Sequence, residues 1–395
     1  VKRGQKNHSV PAKTTPEVSL QRVQLAIQNR INPIRGLTPD ILSRALDMFK
    51  VGYLRDAALL WDAIEARDLN LKNVAGKAKK SVSRLPWEIL TVENAPENEA
   101  AAQRDVLVAF YNNLRATDVL NENERGGLRL LVKQMMDAKG KRFAVHEIVW
   151  QPGAKFTAEL RFVPLWFFEN RTGRLQFLPS EGAINGSPLD DGGWLVTVGD
   201  GLMEASSVGY LYKSLPLKDW VSFSEKFGMP GVLGKTDAAK DSEEWTAMTE
   251  AVSSLVNDWA AVMSRSSEIT LLETKAGGSN LPFEPLVEYM DRKIAALWRG
   301  ADLSTISSGS AEGHGASVQG EETDLILEDD AAWIEETLNE QLTRFVLRYH
   351  FGPDVEPLAY LKLCVPKKKS ITDDIAALDA AQRLGIPVSV ESARE

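Results

Sequence analysis

The sequence predicts an α+β chain that is mainly helical, and three observations carry that prediction. Apolar residues recur at three- and four-residue steps through most of the length, the period of a helix with one buried face. Alternating, β-branched and aromatic runs are concentrated in one block between Phe143 and Val198. The 395 residues, 44% hydrophobic and 26% charged, suffice for two or three domains of ordinary globular composition.

The elements follow in order. Residues 1–19 are basic and polar and read as a loose arm; the first residue is Val1 rather than Met, which predicts a trimmed chain. Thr38-Pro39 reads as an N-cap with proline at the first helical position, and Ile41, Leu42, Ala45, Leu46 and Phe49 supply the apolar face behind it. A second helix carries Leu54, Ala58, Trp61, Ile64 and Leu69. The basic run after it, Lys77, Lys79, Lys80 and Arg84, reads as a solvated helix face. A strand centred on Leu85–Leu90 comes next, then a helix over 97–120 with Val106, Phe110 and Leu114 in register. Gly126-Gly127 break the chain before a helix over Leu128–Lys139, whose Met135 and Met136 read as core.

The β-rich block holds strands at Phe143–Trp150, Ala158–Phe168, Leu175–Leu178 and Trp194–Val198, with Asn170-Arg171-Thr172-Gly173 as a hairpin turn. Helix returns over Ser206–Phe227, interrupted at Pro216 and ended by Gly228–Gly231. A long amphipathic helix is expected over Ser242–Arg265, then a short strand, Glu268–Glu273, and a helix around Leu286–Trp298. A Gly/Ser-rich run from Gly300 follows, long enough to need a reason. Beyond it Ile326, Asp330, Ile334, Leu338, Leu342, Phe345 and Tyr349 fall on one helical stripe. A strand at Leu358–Val365, the exposed Lys367–Lys369 and a helix over Asp373–Leu384 close the chain.

Charge narrows the function. The net charge of −9 argues against a protein that grips nucleic acid by neutralising phosphates, though not against one that nucleic acid passes through. From Glu321 to Glu340 there are nine acidic residues and no Lys or Arg, while Arg344 and Arg348 come later, an order that suits the helix dipole. The single cysteine, Cys364, excludes an internal disulfide and fits a reducing compartment, and no apolar run has membrane-spanning length.

Catalytic motifs fail on spacing. The run Gly228–Thr236 resembles a phosphate-binding loop, but the position six before Lys235 is Met229, and the run follows a helix rather than a buried strand; it reads as a flexible turn. His146-Glu147 begins like a zinc-protease helix, with Trp150 where the second histidine belongs. His8, His146, His314 and His350 are too scattered for a cluster, and no nucleophile–base arrangement is evident. The sequence offers no catalytic residue, metal site or cofactor site, and predicts a protein that is not an enzyme.

Several segments resemble the portal proteins of Mu-like tailed bacteriophages. They are Leu37–Leu42, Trp61–Asp68, Leu85–Ile89, Ala144–Trp150, Pro164–Phe168, Leu217–Pro230 and Leu338–Leu342 leading to His350–Gly352, in family order. The stretch ending Phe227-Gly228-Met229-Pro230 is the most specific of them. The chain stops before such chains usually do, which predicts that a C-terminal region is absent. The resemblance implies a portal fold assembled as a dodecameric ring at the capsid vertex of the virion, built in the host cytoplasm. Double-stranded DNA would pass through it without sequence recognition, with terminase large subunit, head–tail adaptor, major capsid protein and scaffolding protein as partners and no membrane. By order, it implies a wing at 20–126 and 229–299, stem helices at 127–149 and 203–228, a β-rich clip at 150–202, a tunnel loop at 300–315, a channel helix at 316–352 and a crown region at 353–395. On that plan Leu303, Ile306, Ser308 and His314 mark the tunnel loop, and Glu321, Glu322, Asp324 and Glu328 the acidic channel helix. Arg171 and Arg174 mark the clip edge. A nucleotide-dependent packaging motor or nuclease subunit is the alternative, with Lys235 as its test.

Overall fold

The computed structural model describes residues 32–152, 156–180, 183–227, 232–255, 260–264, 283–300 and 314–366. The expected strand at Glu268–Glu273, the Lys367–Lys369 run and the helix at Asp373–Leu384 lie outside them.

The chain is α+β and mainly helical, as the periodicity predicts. Helix α1 (Pro39–Lys50) begins at the expected cap: the Thr38 hydroxyl accepts from the Ile41 N–H, and Pro39 fills the first turn, where no donor is needed. Helix α2 (Arg55–Arg67) buries Ala58, Trp61 and Ile64. It stops before Leu69, because Asp68 ends it and caps α3 (Leu69–Ser83) by accepting from the Leu71 N–H at 2.7 Å. Leu69 therefore leaves the expected face and is 89% exposed. Strand β1 (Trp87–Thr91) precedes α4 (Glu97–Asn113), which ends seven residues short of the expected 120 because Arg115–Asp118 pair as strand β2.

After the short strand β3 (Arg125–Gly126), helices α5 (Leu128–Met135) and α6 (Asp137–Lys141) lead into β4 (Phe143–Gln151). Part of the segment assigned by resemblance to a stem helix, 127–149, is thus an interior strand of a sheet, a run buried almost throughout and rich in branched and aromatic residues, and the helix ends at Lys141. With β5 (Thr157–Val163) and β9 (Trp194–Val198) the order is β3-β2-β5-β4-β9, β4 running antiparallel to both neighbours. Phe168–Glu169 and Gln176–Phe177 form β6 and β7 across the predicted hairpin, where Gly173 has φ 79° and its N–H donates to Asn170 O; β8 (Ser187–Pro188) joins them.

Helix α7 (Met203–Phe227) continues through Pro216. Strand β10 (Val232–Thr236), helix α8 (Glu243–Leu255) and strand β11 (Ala260–Ser264) follow, the two strands being parallel. The long helix expected over Ser242–Arg265 therefore ends early: its last described residues form a strand beside 232–236. Helix α9 (Phe283–Arg299) leads to α10 (His314–Leu338), a π-helical turn at Asn339–Thr343, α11 (Arg344–Phe351) and β12 (Ala359–Leu363), which pairs antiparallel with β1.

Three apolar clusters hold these elements. The largest gathers α4, α5, the sheet face of Ile148 and Trp150, and the stripe Ile334, Leu338, Leu342 and Val346. The second packs α2 against the β6–β7 hairpin, and the third joins α1, α2, α3, α7 and α9 around Trp61 and Trp298. The π turn has a local cause. Its wider coil lets Asn339 bridge the Leu361 N–H and C=O of β12, both at 2.9 Å, while Gln341 does the same for Val196 of β9 at 2.9 and 2.7 Å. Two amide side chains thus satisfy backbone groups of two sheets, one through β12 and one through β9.

Candidate functional site

The site is built where the end of α9 packs beside α10. Gly300 ends α9 with φ 68°, a conformation that favours glycine, and its Cα lies against the tip of Ile326, whose Cδ1 would be 2.7 Å from an added Cβ. Trp298, two residues back, is buried and donates from Nε1 to Ser206 Oγ at 2.9 Å. A Cβ on Gly140 would meet the Trp298 ring at 2.9 Å, so α6 also lies in close contact with this end of α9.

From this anchored end α10 divides its acids between two faces. Asp330 is buried and takes the Lys139 ammonium at 2.5 Å, both side chains at 4% exposure or less; the Trp333 indole N–H donates to its other oxygen. Burial raises the Asp330 pKa, and Lys139 opposes that rise. Glu335 is also buried; it accepts from the Leu363 N–H at 2.7 Å and from Lys362 at 2.9 Å, which ties α10 to β12. Glu322, Glu328, Asp329 and Glu336 are exposed.

Beside α10, α3 divides its bases in the same way. Lys79, expected on a solvated face, is instead enclosed, with Nζ 2.5 Å from Glu65 and 2.7 Å from Asp137. Lys141 joins them, at 2.8 Å from Asp137 and 2.5 Å from Asp62. Burial pulls the Lys79 pKa down, but Asp137 and Glu65 more than reverse it; burial pushes Asp137 up, and Lys141 and Lys79 hold it well below the carboxylate range. A second buried cluster sets Lys213 of α7 between Asp68 and, at 2.7 Å, Asp291 of α9. By contrast Lys77, Lys80 and Arg84 stay exposed and rim a cleft of about 500 Å³ between α3 and α10.

The predicted site residues fall as follows. Leu303, Ile306 and Ser308 lie outside the described residues, and His314 opens α10. Glu321 lies in the first turns of α10, with Glu322, Asp324 and Glu328 on the same helix. Arg171 is exposed, and several contacts hold it in place. Its N–H donates to Glu169 at 2.8 Å, its guanidinium pairs with Glu169 and Asn185 and lies 5.3 Å from the Tyr53 ring centroid, and Asn170 N–H donates to Gly52 O. Arg174 is exposed on the same turn. Sequence reasoning missed the cleft and the Lys139–Asp330 pair. One signal for the pair was present: Asp330 sits in an otherwise apolar stripe, where an acid needs a buried partner.

The motifs set aside on spacing stand apart from this site. Lys235 and Thr236 lie in strand β10 rather than in the flexible turn expected there; extended, ladder-paired backbone does not wrap a phosphate. His146 and Glu147 are fully buried on β4, and Glu147 pairs with Arg161 of β5 at 2.9 Å. Among the described residues no three His, Cys, Asp or Glu side chains converge as metal ligands, and no helix is long and apolar enough to cross a membrane.

Helices packed around a mixed five-stranded sheet, with buried ion pairs set apart from exposed charges, make up the α+β fold that positions this cleft. A family model described as the portal protein of Mu bacteriophage matches residues 58–395, and the chain belongs to that family. Two relatives agree: the Mu-like prophage FluMu protein gp29 of Haemophilus influenzae, 23% identical over 297 residues (71% of this chain, 54% of that one), and the portal protein of Escherichia phage Mu, 22% identical over 288 residues (69% and 53%). The chain spans about half the length of these curated relatives. Among solved structures, the HK97 family phage portal protein from Corynebacterium diphtheriae is 14% identical, with a TM-score of 0.43 over 82% of this chain and 98% of that one. A chain of the native gene transfer agent virion is 12% identical, with a TM-score of 0.48 over 94% and 97%.

Proposed function

We propose that this chain is the subunit of a dodecameric portal ring at one capsid vertex, through whose central hole double-stranded DNA enters during packaging and leaves during ejection. The family match over residues 58–395 carries the reading. In this reading the ring is assembled in the host cytoplasm with major capsid and scaffolding protein, docks terminase large subunit through a clip near Arg174, and later receives the head–tail adaptor there. It performs no chemistry of its own. The run after Gly300, including Leu303, Ile306 and Ser308, forms the tunnel loop, His314 stands at its junction with α10, and α10 with α11 is the channel helix.

The physics of the site supports this arrangement. A wall past which a polyanion slides must not collect phosphate contacts, because each Lys or Arg contact adds affinity through counterion release. The head of α10 carries Glu321, Glu322 and Asp324 and no base, and ring symmetry turns each acid into a belt. Deleting Ser307–Gly313 should leave rings intact while packaging or retention of DNA falls; unchanged packaging in intact rings counts against a tunnel loop here. Negative-stain images of the purified chain should show a ring with a central hole, and a monomer at high concentration would end the proposal.

A further inference from the structure

The cleft between α3 and α10 has a chemistry that nothing within the described chain uses. Its rim carries Lys77, Lys80 and Arg84 from α3 and Arg299 from the end of α9, and among the described residues none of the four pairs with a carboxylate. Its lining is partly apolar: Trp298, Ile326 and Leu327. Asp330 also lines it but is already matched by Lys139. Four cations with no counter-ion among the described residues, around an apolar floor in a chain of net charge −9, fit an apolar side chain flanked by carboxylates.

Helix α10 presents such a group on its other side. Leu325 is 65% exposed, and Glu328 and Asp329 beside it are exposed as well. At roughly 100° per residue, Thr323, Ile326, Leu327 and Asp330 share the sector facing the cleft, while Leu325, Glu328 and Asp329 share the opposite one. The two patches complement each other and cannot meet within one chain. Matching patches on opposite sides of one element are what a head-to-tail contact requires, and such a contact, repeated by rotation, closes a ring. Duplex DNA fits less well: phosphate-binding surfaces run as basic stripes, and a phosphate ridge brings no apolar group to fill the floor at Trp298, Ile326 and Leu327.

We propose that the cleft of each copy receives Leu325, Glu328 and Asp329 of the adjacent copy, and that this seam holds the ring. The inference rests on the ring reading and supplies its contact; it moves Glu328 from the channel wall to the seam and leaves Glu322 and Asp324 at the helix head.

The test uses two full-length variants on a Cys364→Ser background, one carrying Leu325→Cys and the other Ser81→Cys, a cleft position. They are co-expressed with different tags, sized by light scattering and oxidised. Because the two cysteines are on separate chains, a disulfide-linked heterodimer on a non-reducing gel reports the contact between copies. The expected result is that heterodimer from ring fractions. In parallel, Lys80→Glu with Arg84→Glu should weaken ring assembly roughly tenfold or more by placing like charges together, and adding Glu328→Lys with Asp329→Lys should restore it. Rings without the cross-link, or charge reversals without effect on assembly, overturn the seam and leave the ring reading standing. A chain that stays monomeric overturns both. Protection of Lys80 and Arg84 from chemical modification by duplex DNA, and not by ring assembly, gives the cleft to DNA and overturns the seam.

Discussion

Lys79 and Lys80 are adjacent on α3, yet Lys79 is closed in against Glu65 and Asp137 while Lys80 stands on the open rim of the cleft. Helix α10 repeats the division, with Asp330 and Glu335 buried beside partners and Glu328, Asp329 and Glu336 exposed. A buried charge is tolerated only with its partner, because removing one leaves the other uncompensated in a poorly solvated interior. An exposed charge contributes little to folding and remains available to another surface. Each charge run therefore does two jobs, sorted by helical phase: one half fastens elements of the same chain, and the other half faces outward.

The largest effect that would break this division is at the buried Lys139–Asp330 pair. Lys139→Met should cost about 3–5 kcal/mol by urea unfolding, because Asp330 is left buried and unpaired. Adding Asp330→Leu should recover most of that loss, since an apolar pair needs no desolvation. If the single variant unfolds like the parent, the inner face is not structural and the distinction fails. Lys79→Met should cost less, about 2 kcal/mol, because Lys141 still neutralises Asp137. Its clearer signature is acid sensitivity. Asp137 is held down in the folded state, so its contribution is full above the ordinary carboxylate range and fades as pH falls through its depressed pKa. With Lys79 gone that pKa rises, and acid unfolding should begin at a higher pH.

His146 sharpens the comparison from another side, as a buried titratable group whose ring packs on Phe162. Among the described residues neither ring nitrogen has a hydrogen-bond partner, and burial lowers its pKa to about 3, with Asp137 acting in the opposite direction. Between about 3 and 6.5 the unfolded chain binds the proton that the folded chain refuses, so stability falls as pH drops through that window. From pH 7 to pH 5 the loss from this group should be roughly 2 kcal/mol. His146→Leu should remove that part of the slope and stabilise the fold at pH 5; an unchanged slope would show that the imidazole is solvated.

Much of the fold was legible in the sequence because local rules dominate there. Thr38-Pro39 fixed the start of α1, Gly173 the β6–β7 turn, and alternation the bounds of Trp194–Val198. Errors came where a long-range partner decides. Residues 115–118 look helical in sequence and become a strand because β5 lies alongside, and 260–264 do so beside β10. The site was legible only as a pattern. Nine acids without a base marked α10 as unusual, but which of them turn inward depends on Lys139 and Lys362, far away in sequence, and the cleft exists only because α3, α9 and the head of α10 meet.

The smallest predicted effect is the most discriminating. Lys80→Ala removes a charge that pairs with no carboxylate among the described residues, so the stability of the isolated chain should change by less than about 0.5 kcal/mol. The neighbouring substitution Lys79→Ala, made and measured identically, should lose several times more. Helix propensity cannot produce that difference, since both replace lysine by alanine in the last two turns of α3. Only burial and pairing differ. If Lys80→Ala proves as costly as Lys79→Ala, the outer lysine holds the fold after all, and a face occupied in that way has nothing left to offer a second copy of the chain.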